Sequence, residues 1–571
     1  MKRNILFVIV ALCFALSLAC SRGEIYPIRW VYLNSGLQND EELARIEGLV
    51  KIVAEHKLSG IYFSSGFDAL DTKGEDYINR LHHLKAFCDS LGLVIAARCC
   101  DVGYNGSLLS HNQNLAEGMP VFNALFVADK AGARLVADPA VSVPNGSFEA
   151  LDGDRAEGFV YGDSSAGCLF VDNEVARTGK SSLRIENLEN AGRGAGVLKV
   201  SVQVAPNRCY RLRAWIKVQK MGESQPFGSG NLRLTALGAE RRQLNYRNIH
   251  DPESEDWVEA QVGFNSFENS TVDVSFGVQS RTPGKVWIDD LSIEEIGLVN
   301  LLRRPGAPFT VRGEKSGIDY VEGRDFEPVA DSLIDFDFDH QGPAIKLVKG
   351  GRIKPGERLR VSWYHGTQIY NDQITACMSE PEVYEIWRRN VPLIKKHLNP
   401  KYYFLNVDEV RVGGTCKACR DRNLSMGEII GDCVEKQVEI VREADPNAGI
   451  IIWSDMFDPN HNATDRRGKN YYLCAGNYDK SWEHLPKGLL IACWNHRRRY
   501  ESLKHFSDLG YQTFACGYYD RDDLENDKTW LEALDVTPGA QGIMYTTWLN
   551  KFDLLPAFGD LVSSHRRPGK I

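Results

Sequence analysis

From Arg29 onward, short apolar runs alternate with stretches whose apolar residues recur at helical spacing. Arg29 to Ser35, Gly60 to Ser65 and Leu93 to Cys99 read as strands, with helices over Asp40 to Lys57 and Tyr77 to Leu91 between them. Strand, helix and strand in this order predict a parallel sheet covered by helices. From Val141 the pattern changes. Thr178 to Glu186, Tyr210 to Val218, Val272 to Val278 and Val286 to Ile296 are short alternating strands separated by Gly, Ser and Asn turns, which predicts an antiparallel β-sandwich. A further β-rich stretch runs from about Asn300 to Arg358.

The first pattern then returns and persists. Helices are predicted over Pro381 to Leu398, Met426 to Ala444 and Arg499 to Leu509. Strands are predicted over Tyr402 to Glu409, Gly449 to Phe457, Leu489 to Asn495, Gln512 to Asp520 and Gly542 to Trp548. Three early and five late strands close an α/β fold, a (β/α)8 TIM barrel interrupted after its third strand by an inserted antiparallel β-sandwich of jelly-roll type. The count closes only if Arg360 to Gly366 belongs to the insertion. The expected boundaries are 24–135 for the first part of the barrel, 141–297 for the sandwich, 298–358 for a β-rich connecting insertion and 359–571 for the second part of the barrel.

Of the 571 residues, 43% are hydrophobic and 25% charged, as in ordinary folded domains, which excludes a mainly disordered chain. The net charge of -9, with no basic tract beyond Arg497-Arg498-Arg499, excludes nucleic acid as the expected partner. Residues 1–20 read as a signal peptide: Lys2 and Arg3 precede an apolar run from Ile5 to Leu18 that is too short to span a bilayer. Leu16 to Cys20 resembles a bacterial lipobox, with Ser17 where an aliphatic residue is usual. An exported protein is expected, whether periplasmic, secreted or an outer-membrane lipoprotein, touching membrane only through a lipid on Cys20. The sequence is silent on oligomeric state.

Of the 14 cysteines, Cys99, Cys474, Cys493 and Cys516 fall in apolar strands and read as small core residues. Cys168 and Cys209 share the sandwich and are candidates for a disulfide. Cys416 and Cys419 form a single CxxC with no second pair or histidines nearby in sequence, so a local disulfide or free thiols are expected ahead of a metal.

In a barrel of this kind the reacting groups lie at the carboxyl ends of the strands. Those ends carry Asn34, Asp101, the pair Asp408-Glu409, Trp453 with Asp455, Trp494 with Asn495, Tyr518 and Tyr519 before Asp520, and Trp548. Acids move protons and face positive charge, while flat rings stack on the apolar faces of sugars. This set predicts a glycan site with Asp408 and Glu409 as catalytic residues and the others binding substrate, without a catalytic metal.

The order of YYFLNVDEV, IIIWSDMF, LLIACWN, QTFACGYYD and GIMYTTW resembles strands four to eight of glycoside hydrolase family 20, the β-N-acetylhexosaminidases. The resemblance implies an exported hydrolase of 2-acetamido sugars, with Glu409 as general acid/base. Asp408 would orient the acetamido group, whose carbonyl oxygen is the nucleophile. Trp453, Trp494 and Trp548 would wall the pocket, and Tyr518 or Tyr519 would hydrogen-bond the acetamido oxygen. Phe404 to Val407 stand where the family has His-x-Gly-Gly, Leu549 and Asn550 follow Trp548 without the usual carboxylate, and only Arg29 or Asn34 is at hand to replace the family's first-strand arginine. The sandwich resembles carbohydrate-binding modules of families 4 and 9 through NGSFE, TGKSSLRI and VWIDDLSI. That resemblance implies sugar binding and a structural calcium on Glu149 with Asp289 or Asp290. Two alternatives stay open: a glycosidase for neutral or acidic sugars with Asp101 or Asp455 as nucleophile, and a non-catalytic glycan-binding lipoprotein.

Overall fold

A computed structural model describes residues 25–567 apart from 163–166, 190–194, 220–231, 250–253, 279–282, 371–372 and 465–470. The expected signal peptide and lipobox lie outside the described residues. Eight parallel strands close a barrel: β1 (Ile28–Asn34), β2 (Gly60–Ser64), β3 (Val94–Cys99), β4 (Tyr402–Leu405), β5 (Gly449–Trp453), β6 (Leu490–Cys493), β7 (Gln512–Tyr518) and β8 (Ala540–Thr546). The eight strands are those that the hydrophobic pattern predicts. Closure between β1 and β8 needs a residue without a side chain, because a Cβ on Gly542 would lie 1.8 Å from the carbonyl oxygen of Ile28.

The outer layer holds α1 (Asp40–Glu55), α2 (Glu75–Ser90), α3 (Pro381–Leu398), α4 (Met426–Ala444), α5 (Arg499–Asp508), α6 (Glu525–Asp535) and α7 (Leu555–Ser564). The start of α4 is fixed by a capping box between Ser425 and Glu428. Among the described residues, the connection from β5 to β6 carries the 3-10 turns Asp455–Phe457 and Ser481–His484 and the short strand Leu473–Cys474 but no α-helix, so the regular alternation loses one helix there. Alternate strand residues face two cores. Val31, Ile61, Ile95, Ile452 and Ile543 pack against the helices. Trp30, Tyr62, Phe404, Trp453, Phe514 and Met544 fill the barrel interior.

Between β3 and β4 in the chain come three large antiparallel sheets and a short hairpin, Leu151–Asp152 with Arg155–Ala156, among the described residues. Two five-stranded sheets make the sandwich, one built around Cys209–Gln219 and Lys285–Glu295, the other around Gly196–Gln203 and Thr271–Val278. A six-stranded sheet runs in the order Asp319–Tyr320, Thr310–Gly313, Arg358–His365, Met119–Ala128, Gly132–Leu135 and Ile345–Lys346. Arg358–His365 is therefore not a barrel strand, as the strand arithmetic required. Two expected boundaries are corrected by this sheet. Residues 119–135, assigned to the first part of the barrel, belong to it, as does Arg358–His365, assigned to the second part. Its strands come from both sides of the sandwich, a pairing that local hydrophobic pattern cannot express.

The sandwich is joined to the barrel and to this sheet. Arg242 donates to the carbonyls of Tyr472 at 2.8 Å and Cys474 at 3.3 Å, and Asn265 donates to that of Pro120 at 2.8 Å. All cysteines of the described residues are unbonded and buried, so Cys168 and Cys209 do not pair. Glu149 accepts from the backbone N–H groups of Lys180 and Ser181, Asp289 from those of Arg177 and Thr178, and Asp290 pairs with the Arg177 guanidinium.

Candidate active site

Beyond Leu405 the chain leaves the β4 ladder, and Glu409 takes a left-handed backbone conformation (φ 42°) that a side-chain-bearing residue adopts at a cost. Three consecutive residues at the end of β7, Tyr518, Tyr519 and Asp520, are also left-handed. Strain thus concentrates at two strand ends that face the same mouth of the barrel. Gly103, in the loop after β3, packs against the first of them so closely that a Cβ would fall 2.0 Å from the carbonyl oxygen of Asp408.

Glu409 is gripped from three segments. The Arg411 guanidinium is 2.7 Å from Oε1, the Gln373 amide donates to Oε2 at 2.6 Å, and the Tyr104 hydroxyl donates to Oε2 as well. Burial alone would raise its carboxyl, but Arg411, helped by Tyr104, outweighs burial and holds it below the usual carboxylate range. Asp408 responds in the opposite sense. Burial, and then the charges of Asp455 and Glu409, push its carboxyl well up. Asp455 is fully buried and raised to about 6 by burial, which the Glu409 N–H and the Asn462 amide, at 2.9 and 3.0 Å, only partly oppose. Oδ1 of Asp408 and Oδ1 of Asp455 are both buried and accept from no donor among the described residues, while the two carboxyls lie within hydrogen-bonding reach of each other. A proton held between them satisfies both. Two chain neighbours are thus perturbed in opposite directions, the arrangement by which an acid and a base are separated.

Aromatic rings border these carboxyls. His461 meets Trp494 edge-on at 4.1 Å, Trp494 stacks with Tyr519 at 6.2 Å, Tyr519 meets Trp548 at 6.1 Å and Trp548 meets Tyr32 at 5.5 Å. Trp548 is 40% exposed and forms the rim, held by Asp520, whose carboxylate accepts from the Trp548 backbone N–H at 2.9 Å. The buried indole N–H of Trp494 has no acceptor among the described residues. Burial raises the Tyr519 hydroxyl, and the fields of Cys516, Asp408, Glu409 and Asp455 add to the effect.

Of the residues predicted from sequence, Asp408, Glu409, Asp455, Trp494, Tyr519 and Trp548 come together. Tyr518 does not. It faces the outer core and stacks on Tyr545 at 4.0 Å, so of the two tyrosines Tyr519 is the one at the site. Trp453 lies in the barrel interior beneath the mouth, donating to Asn406 Oδ1 at 2.9 Å. Asp101 is held by Arg98 in a two-pronged ion pair at 2.8 and 2.9 Å, an engagement that removes it as a free nucleophile. Asn495 ties down the carbonyl of Asn460, and Asn34 is exposed at the end of β1. Arg29 bonds the carbonyls of Tyr26 and Lys57 at the opposite end of the barrel and cannot serve the site.

Sequence reasoning missed Arg98, Tyr104, Gln373, Arg411 and His461. Two left a trace: Arg98 is a lone charge in the apolar run LVIAARC, and Arg411 stands two residues after the acid pair. Gln373 arrives from the end of the insertion and left none. The sandwich also approaches this site, since Tyr246 lies in the field of Arg411 and Tyr472. Beside Tyr246, a cavity of about 420 Å³ is lined by Asn245, Arg247, Asp337, Gln368 and Tyr370.

No family model and no curated protein matches the chain. Among solved structures it is similar to the β-N-acetylhexosaminidase of Bacteroides fragilis NCTC 9343, at 8% identity over 96% of this chain and 68% of that one, with a TM-score of 0.37. Similarity to the chitobiase of Flavobacterium johnsoniae is at 7% identity over 95% and 48%, with a TM-score of 0.37. A xylan-binding domain from Paenibacillus barcinonensis matches at 19% identity over 29% of this chain and 97% of that domain, with a TM-score of 0.19.

Proposed function

We propose that this protein is a glycoside hydrolase in which Asp408 and Glu409 divide the chemistry, Asp408 as proton donor and Glu409 as the standing anion. The observation that carries this reading is the opposite perturbation of the two adjacent carboxyls. Protonated Asp408, backed by Asp455, gives its proton to the glycosidic oxygen as the bond to the anomeric carbon breaks. The Glu409 carboxylate, kept ionised by Arg411, stabilises the positive charge that develops at that carbon until a water oxygen bonds there and the water's proton returns to the Asp408–Asp455 pair. Trp494, Tyr519 and Trp548 supply the stacking surfaces for the sugar ring, and the unpaired Trp494 N–H supplies a donor for a hydroxyl or amide oxygen.

A second reading keeps the site and exchanges the roles: Glu409 is the general acid/base and Asp408 orients a 2-acetamido group whose oxygen attacks. It is favoured by Tyr519, the seventh-strand tyrosine expected to hold that oxygen, lying in the field of both acids. Either reading is tested by a screen of aryl glycosides against the purified protein, including N-acetylglucosaminide and N-acetylgalactosaminide beside the plain hexosides. Hydrolysis of at least one, reduced in both Asp408→Asn and Glu409→Gln, supports the proposal. Turnover confined to 2-acetamido substrates favours the second reading, and binding without turnover of any of them would leave a glycan-binding protein.

A further inference from the structure

We infer that Glu117, Cys377, Cys416 and Cys419 form a structural zinc site that staples the active-site loops. Three segments far apart in sequence bring these four side chains together, all of them 3% exposed or less. The Cys377 sulfur is 3.5 Å from that of Cys416 and 3.7 Å from that of Cys419. Oε2 of Glu117 lies 3.6 and 3.4 Å from the sulfurs of Cys416 and Cys419. A tetrahedral ion with sulfur at about 2.3 Å and carboxylate oxygen at about 2.0 Å places sulfurs about 3.8 Å apart, and sulfur and oxygen about 3.5 Å apart. Four of the six edges of that tetrahedron are thus present, and all four atoms lie within 4.8 Å of one another. Three thiolates and one carboxylate select a soft-tolerant, four-coordinate divalent ion over calcium or magnesium, which want all-oxygen shells.

The surroundings are organised for such an ion. Oε1 of Glu117 accepts from the backbone N–H groups of Thr415 and Cys416, both at 2.9 Å, which turns Oε2 toward the sulfurs. Cys416 precedes the short helix Lys417–Arg420, and the Cys419 backbone N–H lies against its sulfur, with the Arg304 guanidinium nearby to offset surplus negative charge. A disulfide could join only two of the three cysteines. It would leave a thiol and a buried carboxylate facing each other.

The ligands' places in the chain suggest what the ion does. Gln373 is four residues before Cys377, Arg411 is five before Cys416, and Tyr104 is on the segment that ends at Glu117. These are the three groups that grip Glu409. The ion would fix the segments that position the anion without touching substrate. The assignment does not depend on the sugar reading.

The test uses the full mature chain, purified without chelators and assayed for metal. We expect about one zinc per chain. Cobalt replacement should give thiolate-to-cobalt charge-transfer absorption and the visible bands of a tetrahedral ion, both lost in Cys377→Ala. Glu117→Gln, which keeps the shape of the side chain, should fold and bind zinc at least about tenfold more weakly in competition with a chromophoric chelator. Failure to take up zinc or cobalt would overturn the proposal, whether a mass deficit of two hydrogens reveals a Cys416–Cys419 disulfide or three free thiols titrate unchanged with zinc present. Normal zinc affinity in both variants would overturn it as well.

Discussion

Replacing Arg411 by methionine removes the positive charge from Glu409 while keeping an unbranched apolar stem of similar reach. Charge centres about 4 Å apart at an effective dielectric of about 20 interact by about 4 kcal/mol, which at 1.36 kcal/mol per unit is about 3 pKa units. Tyr104 and Gln373 go on donating to Oε2, so we expect the Glu409 carboxyl to rise by about 1–3 units. In the parent protein Glu409 is held low, stays ionised across the neutral range and does not limit activity there. In the variant its ionised form is lost as pH falls through the raised value, so the acid limb of kcat/KM moves up by the same amount. Stability follows the same sign. A depressed carboxyl stabilises the fold above its unfolded value, and that contribution disappears as pH falls through the folded one. The variant should therefore lose most stability at neutral pH, by up to about 3–5 kcal/mol for a broken buried pair, less because Glu409 keeps 20% of its side-chain surface exposed. The assay is the pH profile of kcat/KM on the best aryl glycoside, with thermal unfolding at neutral and acidic pH. An acid limb that stays in place with kcat/KM within about twofold of the parent would show that Arg411 does not hold Glu409 ionised.

Asp455→Asn removes the charge that, after burial, does most to raise Asp408, so the basic limb of kcat/KM should move toward lower pH; a limb that stays put would separate the two carboxyls. Gly103→Ala places a Cβ against the Asp408 carbonyl and must displace one strand end by an ångström or more, which should lower kcat about a hundredfold with the fold intact by circular dichroism. Tyr518→Phe, on the outer face, should leave kcat/KM unchanged, whereas Tyr519→Phe should reduce it at least about tenfold; equal effects would contradict the placement of the two side chains.

The barrel was legible because each strand carries its own signal: runs such as Gly449 to Trp453 are apolar on both faces, as strands buried on both sides must be. The strand ends were less so. Asp455 and Trp494 sit in turns just past the ladder, yet the strand pattern still delivered them to the right end of the barrel. Position at a strand end does not say which way a side chain points, which is why Tyr518 and Tyr519 were not separable. The three groups that hold Glu409 could not be found by pattern, since Gln373 and Tyr104 reach it only through tertiary folding. The zinc ligands are the same case: CxxC was visible, but Cys377 and Glu117 lie about 40 and 300 residues away. The six-stranded sheet was missed in part because its two central strands, Met119–Ala128 and Arg358–His365, flank the whole sandwich in sequence.

The central claim is that Asp408 carries the proton and Glu409 the charge, and dependence on the leaving group tests it most directly. Rates of parent, Asp408→Asn and Glu409→Gln are compared on aryl glycosides whose phenols span a wide range of acidity, since good leaving groups need little protonation. The account predicts that Asp408→Asn loses far more on poor leaving groups than on activated ones, while Glu409→Gln loses alike on all of them. The converse, a leaving-group-dependent loss in Glu409→Gln and a uniform loss in Asp408→Asn, would contradict it and assign the proton to Glu409.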